Sequence, residues 1–89
     1  MKATQKQTLT LDDARHRIAL WLAGKMTLEH YAPQTDEWYG LVREGDAFVL
    51  YRRHARAPYG NRVCHYLSVA HTDLNRLAAH YAGFCAAVA

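Results

Sequence analysis

WYGLVREGDAFVLYRRH, residues 38–54, decides how this chain is built. On either side of Gly45-Asp46 the residues follow a two-residue rhythm. A glycine next to an aspartate suits a tight turn with a positive dihedral at the glycine. The stretch reads as an antiparallel hairpin, WYGLVRE (38–44) against AFVLYRRH (47–54). Beyond it, Ala57-Pro58-Tyr59-Gly60-Asn61 supplies turn formers, and RVCHYLSV (62–69) resumes the alternation as a third strand.

Helical signals lie outside this sheet. Thr10 followed by Asp13 reads as a capping box, with Leu9 as a staple, and Asp12 and Asp13 suit the positive end of a helix dipole. Leu11, Ala14, Ile18, Trp21 and Leu22 recur at helical spacing, Leu20 points away, and Gly24 is placed to end the element. KMTLEHYAP (25–33) fits either one or two helical turns stopped by Pro33 or an irregular crossing, and 34–37 is loop. A last helix opens near Thr72, an N-cap candidate, with Asp73 in its first turn. Leu74, Leu77, Ala78, Tyr81, Cys85 and Val88 share one face of it, with Arg76 and His80 opposite.

The order predicted is α-β-β-β-α. That is an α+β fold with a three-stranded antiparallel sheet and the N- and C-terminal helices packed on one face. Residues 9–89 form one domain and residues 1–8 a flexible tail. The longest apolar run of the first half, IALWLA (18–23), falls far short of the ~20 residues a membrane helix needs. The N-terminus lacks the pattern of a signal peptide, so a cytoplasmic protein is expected. Two cysteines, Cys64 and Cys85, do not make a disulfide framework and are expected as reduced thiols.

Alternation assigns faces to the sheet. Trp38, Val42, Phe48, Leu50, Val63, Leu67 and Val69 are expected toward the helices, with Arg52 and His65 as exceptions near strand ends. Tyr39, Leu41, Arg43, Val49, Tyr51, Arg53, Arg62, Cys64, Tyr66 and Ser68 are expected on the uncovered face. Charge adds to this picture. Residues 12–46 hold seven acids against four bases, whereas residues 47–72 hold Arg52, Arg53, Arg56 and Arg62 and no acid. A local excess of four positive charges attracts anionic partners.

Rings and guanidinium groups on an open sheet make a stacking platform for single-stranded bases, and the same residues dominate protein-binding hot spots. The binding residues expected are Arg43, Tyr51, Arg52, Arg53, Arg56, Tyr59, Arg62, Tyr66 and Tyr39. A plain structural role competes with this, since tyrosine favours strands and arginine protects sheet edges. No sheet module with the βαββαβ order and no helix-turn-helix is evident.

Catalytic and metal chemistry find little support. Cys64 and His65 are adjacent on a strand and point to opposite faces, so they cannot share an ion, and neither CxxC nor HxxxH occurs. Ser68, His71 and Asp73 lie close in sequence without a nucleophile elbow. Asp12/Asp13, Asp36/Glu37 and Glu44/Asp46 occupy a helix start, a loop and a turn, where acids are favoured locally. Phosphate-cradling glycine motifs are absent, and no cofactor is implied. The expectation is a small non-catalytic binding protein that contacts a nucleic acid or nucleoprotein. The alternative from another class is a phage- or plasmid-type inhibitor that blocks a host complex by protein contact, as anti-CRISPR proteins do. A third is a homodimeric structural subunit using Leu20, Leu41 or an edge strand.

Overall fold

The computed structural model describes residues 9–56 and 63–88. The elements run α1 (Leu11–Leu22), β1 (Leu28–Ala32), β2 (Glu37–Glu44), β3 (Ala47–His54), β4 (Val63–Ser68), a 3-10 turn (Val69–His71) and α2 (Leu74–Val88). The fold is α+β with two helices and one antiparallel sheet in the order β1-β2-β3-β4. The sheet therefore has four strands where three are expected. The additional strand is LEHYA, inside the ambiguous 25–33 segment, and it pairs with β2 from Leu28↔Leu41 to Ala32↔Glu37. The expected tail (1–8), the turn at 57–61 and Arg62 lie outside the described residues.

Local chemistry explains the ends of the helices. The Thr10 hydroxyl accepts a hydrogen bond from the Asp13 amide at 3.1 Å, the N-cap expected of α1. At its other end Gly24 has φ +75°. The Gly24 and Lys25 amides donate to the Trp21 and Leu20 carbonyls, which is the Schellman arrangement. For α2 the cap is Asp73, one residue later than the expected Thr72. The Asp73 carboxylate accepts from the Arg76 amide at 2.7 Å, and its carbonyl accepts from Leu77 at 2.9 Å. Gly45 has φ +58° in the β2–β3 turn, and its two-residue loop pairs Glu44 with Ala47.

The core lies between the helices and one sheet face. Ala14 and Ile18 of α1 and Leu77, Ala78 and Tyr81 of α2 pack with Leu28, Leu41, Phe48 and Leu50. Each large aliphatic among them contributes about 1.5–3 kcal/mol by leaving water. Leu11, Leu22 and Leu74, expected on the apolar helix faces, are exposed. Trp21 tilts against Phe48 with ring centroids 6.0 Å apart, closing the α1 end of the core.

This packing overturns part of the face assignment. Residues directly opposite in an antiparallel pair share a face. The register Leu41↔Leu50 and Arg43↔Phe48 puts Tyr39, Leu41 and Arg43 on the helix side of β2. Trp38 and Val42 lie on the other face, the reverse of expectation. The assignments of Phe48, Leu50, Val49 and Tyr51 on β3 hold, and those of Leu67 and Tyr66 on β4 agree with the register Phe48↔Leu67 and Val49↔Tyr66.

Candidate binding face

The face without a helix is built in rows across the four strands. One row holds Tyr31, Trp38 and Arg53, the next Glu29, Gly40, Tyr51 and Cys64, and the next Val42, Val49 and Tyr66. Tyr31 and Trp38 form a tilted pair with centroids 5.4 Å apart. Tyr31 is 45% and Tyr66 64% exposed, so rings do face solvent here. Arg53 sits half-buried opposite Trp38 and makes no ion pair among the described residues.

Tyr51 does not belong to the exposed layer. It is 3% exposed, and its hydroxyl donates to the Glu29 carboxylate at 2.5 Å. Glu29 is opposite Gly40, and Gly40 is opposite Tyr51, so the phenol must cross the position of Gly40 to reach β1. A glycine there leaves the ring its path. Any Cβ on Gly40 would lie 2.1 Å from the Leu28 carbonyl oxygen. Val49 is fully buried between Val42 and Tyr66 in the neighbouring row. The helix-free face thus has a packed centre with exposed rings around it.

The arginine stretch has no acid of its own, but the fold brings it two. Arg52 Nε lies 3.0 and 2.9 Å from the two Glu37 carboxylate oxygens, and Arg52 Nη2 lies 2.8 Å from Oε1. That forked hydrogen bond holds the Glu37 carboxyl below the usual carboxylate range and raises the Arg52 guanidinium. Arg56 Nε meets Asp36 Oδ2 at 3.0 Å. Asp36 also accepts from the Tyr31 hydroxyl, which pushes that phenol up, and its carbonyl accepts from the Ala55 amide at 2.9 Å. Asp36 adopts φ +53°, a left-handed conformation that aspartate tolerates in turns. The β1–β2 turn thereby clasps the end of β3.

Of the expected binding residues, Arg53 and Tyr66 lie on the helix-free face, two rows apart, with the row of Tyr51 and Cys64 between them. Arg56 adjoins that face but is spoken for by Asp36, and Arg52 lies on the helix side with Glu37. Tyr39 is half-buried on the helix side against His30, at 5.4 Å between ring centroids. Arg43 folds back on its turn, with Nε donating to the Gly45 carbonyl at 3.3 Å. Tyr59 and Arg62 lie outside the described residues. Tyr31 escaped the sequence reading because β1 did, although Leu28, His30 and Ala32 alternate with Glu29 and Tyr31. Trp38 is expected on the helix side, and the register places it on the helix-free face. The two-residue turn carried the missing signal, since it places Leu41 opposite Leu50.

A second polar cluster joins the layers. Tyr81 of α2 is fully buried, with its hydroxyl 2.9 Å from His30 Nε2 on β1. Burial pushes the Tyr81 phenol up, and it lowers His30 with help from the Arg17 charge, so at neutral pH both partners are uncharged. Burial likewise raises the Cys85 thiol, which suits a packing role rather than a nucleophile. Cys64 and Cys85 are both free. Among the described residues no group of three potential metal ligands converges, and no helix is long and apolar enough to cross a membrane. The chain matches no protein-family model, no curated protein and no solved structure.

Proposed function

We propose that the chain is a non-catalytic binding module that meets a protein partner through its helix-free sheet face. Tyr31, Trp38, Arg53 and Tyr66 are the contact residues. The observation that carries this is the exposure of Tyr31 and Tyr66 on a sheet face to which neither helix contributes. Tryptophan, tyrosine and arginine concentrate binding energy in protein interfaces. The charge pattern favours a protein over a nucleic acid. Arg52 and Arg56, expected to neutralise phosphates, are engaged by Glu37 and Asp36, so the described part of the stretch is not an open cationic strip. Arg53 selects a partner with an apolar patch and a carboxylate opposite the guanidinium. An inhibitor that occupies one surface of a larger complex is one member of this class.

A nucleic-acid contact is the second reading, favoured by the net charge of +3 and by ring stacking. Comparing the native chain with Arg53→Glu/Tyr31→Ala tests both. Tyr31→Ala removes the ring pair with Trp38 and the hydrogen bond to Asp36, so the melting temperature should fall by several degrees while circular dichroism shows the double variant still folded. The first reading expects a protein captured from nuclease-treated lysate by the native chain, lost in the double variant and retained by Lys25→Glu. Retention of the native chain on single-stranded DNA or RNA, with log affinity falling against log salt at about −0.7 per phosphate neutralised, would favour the second. Capture equal in the native chain and the double variant would overturn the assignment of the face.

A further inference from the structure

The sheet ends on one side at β4, whose residues Val63–Ser68 pair with β3 alone. An edge strand keeps one row of backbone N–H and C=O groups outside the ladder. Beside β4, on the helix side of the sheet, an open groove of about 700 Å³ runs between the strand and α2. Leu50, His65 and Leu67 form its floor, and Ala79, Gly83 and Phe84 of α2 its far wall. His65 meets Phe84 edge to face, with centroids 6.1 Å apart, which fixes the helix against the strand. Charge in these walls has one sign. His65 and His80 bring imidazoles that donate hydrogen bonds, and Arg76 lies one turn before His80 on the same side of α2. Among the described residues no carboxylate lines the groove, and α2 carries no acid along its length.

We propose that β4 accepts an extended peptide of a partner protein as a further strand, with every second peptide side chain lying in the groove. The segment that fits carries apolar side chains at alternate positions and a carboxylate among them to face the imidazoles. Two independent features select an extended chain. The open row of backbone groups along β4 is matched by a chain that is itself extended, whereas a helix spends its amides on its own carbonyls. The groove flanks that row, so an added strand turns one face toward α2 without displacing any element. Its apolar floor and the short side chains of Ala79 and Gly83 leave room for branched side chains from the peptide. A Cβ on Gly83 would meet nothing within 4 Å. The absence of carboxylates from the walls, set against His65, His80 and Arg76, favours an acidic residue in the peptide over a basic one. Tyr31, Trp38 and Arg53 take no part, so the proposal goes beyond the helix-free face and does not rest on it.

Fluorescence anisotropy with labelled probe peptides tests it. The probes alternate valine with threonine, beginning and ending on valine, and each replaces a different valine by aspartate. At least one probe should bind saturably, one per chain, in titrations up to about 1 mM protein. N-methylating every second amide removes the donors from one edge of the peptide at a time. One of the two methylation patterns should weaken binding by about tenfold or more and the other by less than about threefold, because only one edge pairs with β4. Gly83→Leu fills the groove from an open position, so it should weaken the probe by about tenfold or more while the melting temperature holds or rises. Asparagine in place of the aspartate should bind more weakly to the native chain, and His65→Gln/His80→Gln should narrow that difference. Arg53→Glu/Tyr31→Ala should bind the probe as the native chain does, which separates this edge from the helix-free face. Binding indifferent to both methylation patterns, or unchanged in Gly83→Leu, would overturn the proposal, as would saturable binding by none of the probes. So would a chain of twice the 10.1 kDa mass whose β4 amides are protected from hydrogen exchange without any probe, since a second copy would then hold the edge.

Discussion

Gly40 shows how one residue without a side chain organises two strands. Its backbone approaches Leu28 and Glu29 closely, and its missing side chain gives Tyr51 the path to Glu29. In Gly40→Ala the new Cβ would press on backbone, which cannot move away without parting β1 from β2. The expected loss is on the order of 3–5 kcal/mol, combining overpacking with an unfavourable dihedral. Urea denaturation with the linear extrapolation checks it. Gly83→Ala, at an open position inside α2, should instead stabilise by about 0.5–1 kcal/mol. Nothing in the run WYGLV distinguishes Gly40 as a requirement, because the atoms it would strike belong to a strand twelve residues upstream.

Elements obey their local signals wherever those signals are local. The α1 cap, its glycine stop and the β2–β3 turn all follow from residues within a few positions of one another. For α2 the competition is between adjacent residues, and the carboxylate of Asp73 wins over the hydroxyl of Thr72. Asp73→Ala should therefore cost about 1 kcal/mol, and Thr72→Ala a few tenths. Equal losses in thermal melts would return the cap to Thr72. β1 is faint in the sequence for a different reason. Five residues with one large aliphatic, Leu28, give a weak alternation, and their strand character comes from pairing with β2. Alternation alone does not orient β2, because apolar residues occur on both its faces. Only the register to Phe48 and Leu50 settles which one meets the helices.

At the scale of the whole molecule, an apolar cluster fastens the helices to the sheet, and the contact of Tyr81 with His30 adds a polar joint between α2 and β1. That joint makes stability depend on pH. His30 has its pKa lowered in the fold, first by burial and then by Arg17, with Glu29 opposing. Below the ordinary value of 6.5 the unfolded chain binds a proton that the folded chain resists. Stability should accordingly fall as pH drops from about 6.5 toward the folded pKa, and level off beneath it. Urea midpoints at pH 7.5 and 5.5 test this, the native chain losing more on acidification than His30→Gln. An equal loss in both proteins would remove His30 from the account.

What the sequence determined by itself was everything set by neighbours along the chain: the helix starts and stops, the tight hairpin, the two-residue rhythm and the grouping of strands between helices. These rest on interactions spanning a few residues, so the order of residues suffices to read them. What only the tertiary structure decided was which acids meet the arginines, which tyrosines stay in water and which strands form the sheet edges. Asp36 and Glu37 come to Arg56 and Arg52 because antiparallel pairing folds the β1–β2 turn against the end of β3. Pairing across strands depends on register and on which face the helices cover, and neither is a property of any short stretch of chain.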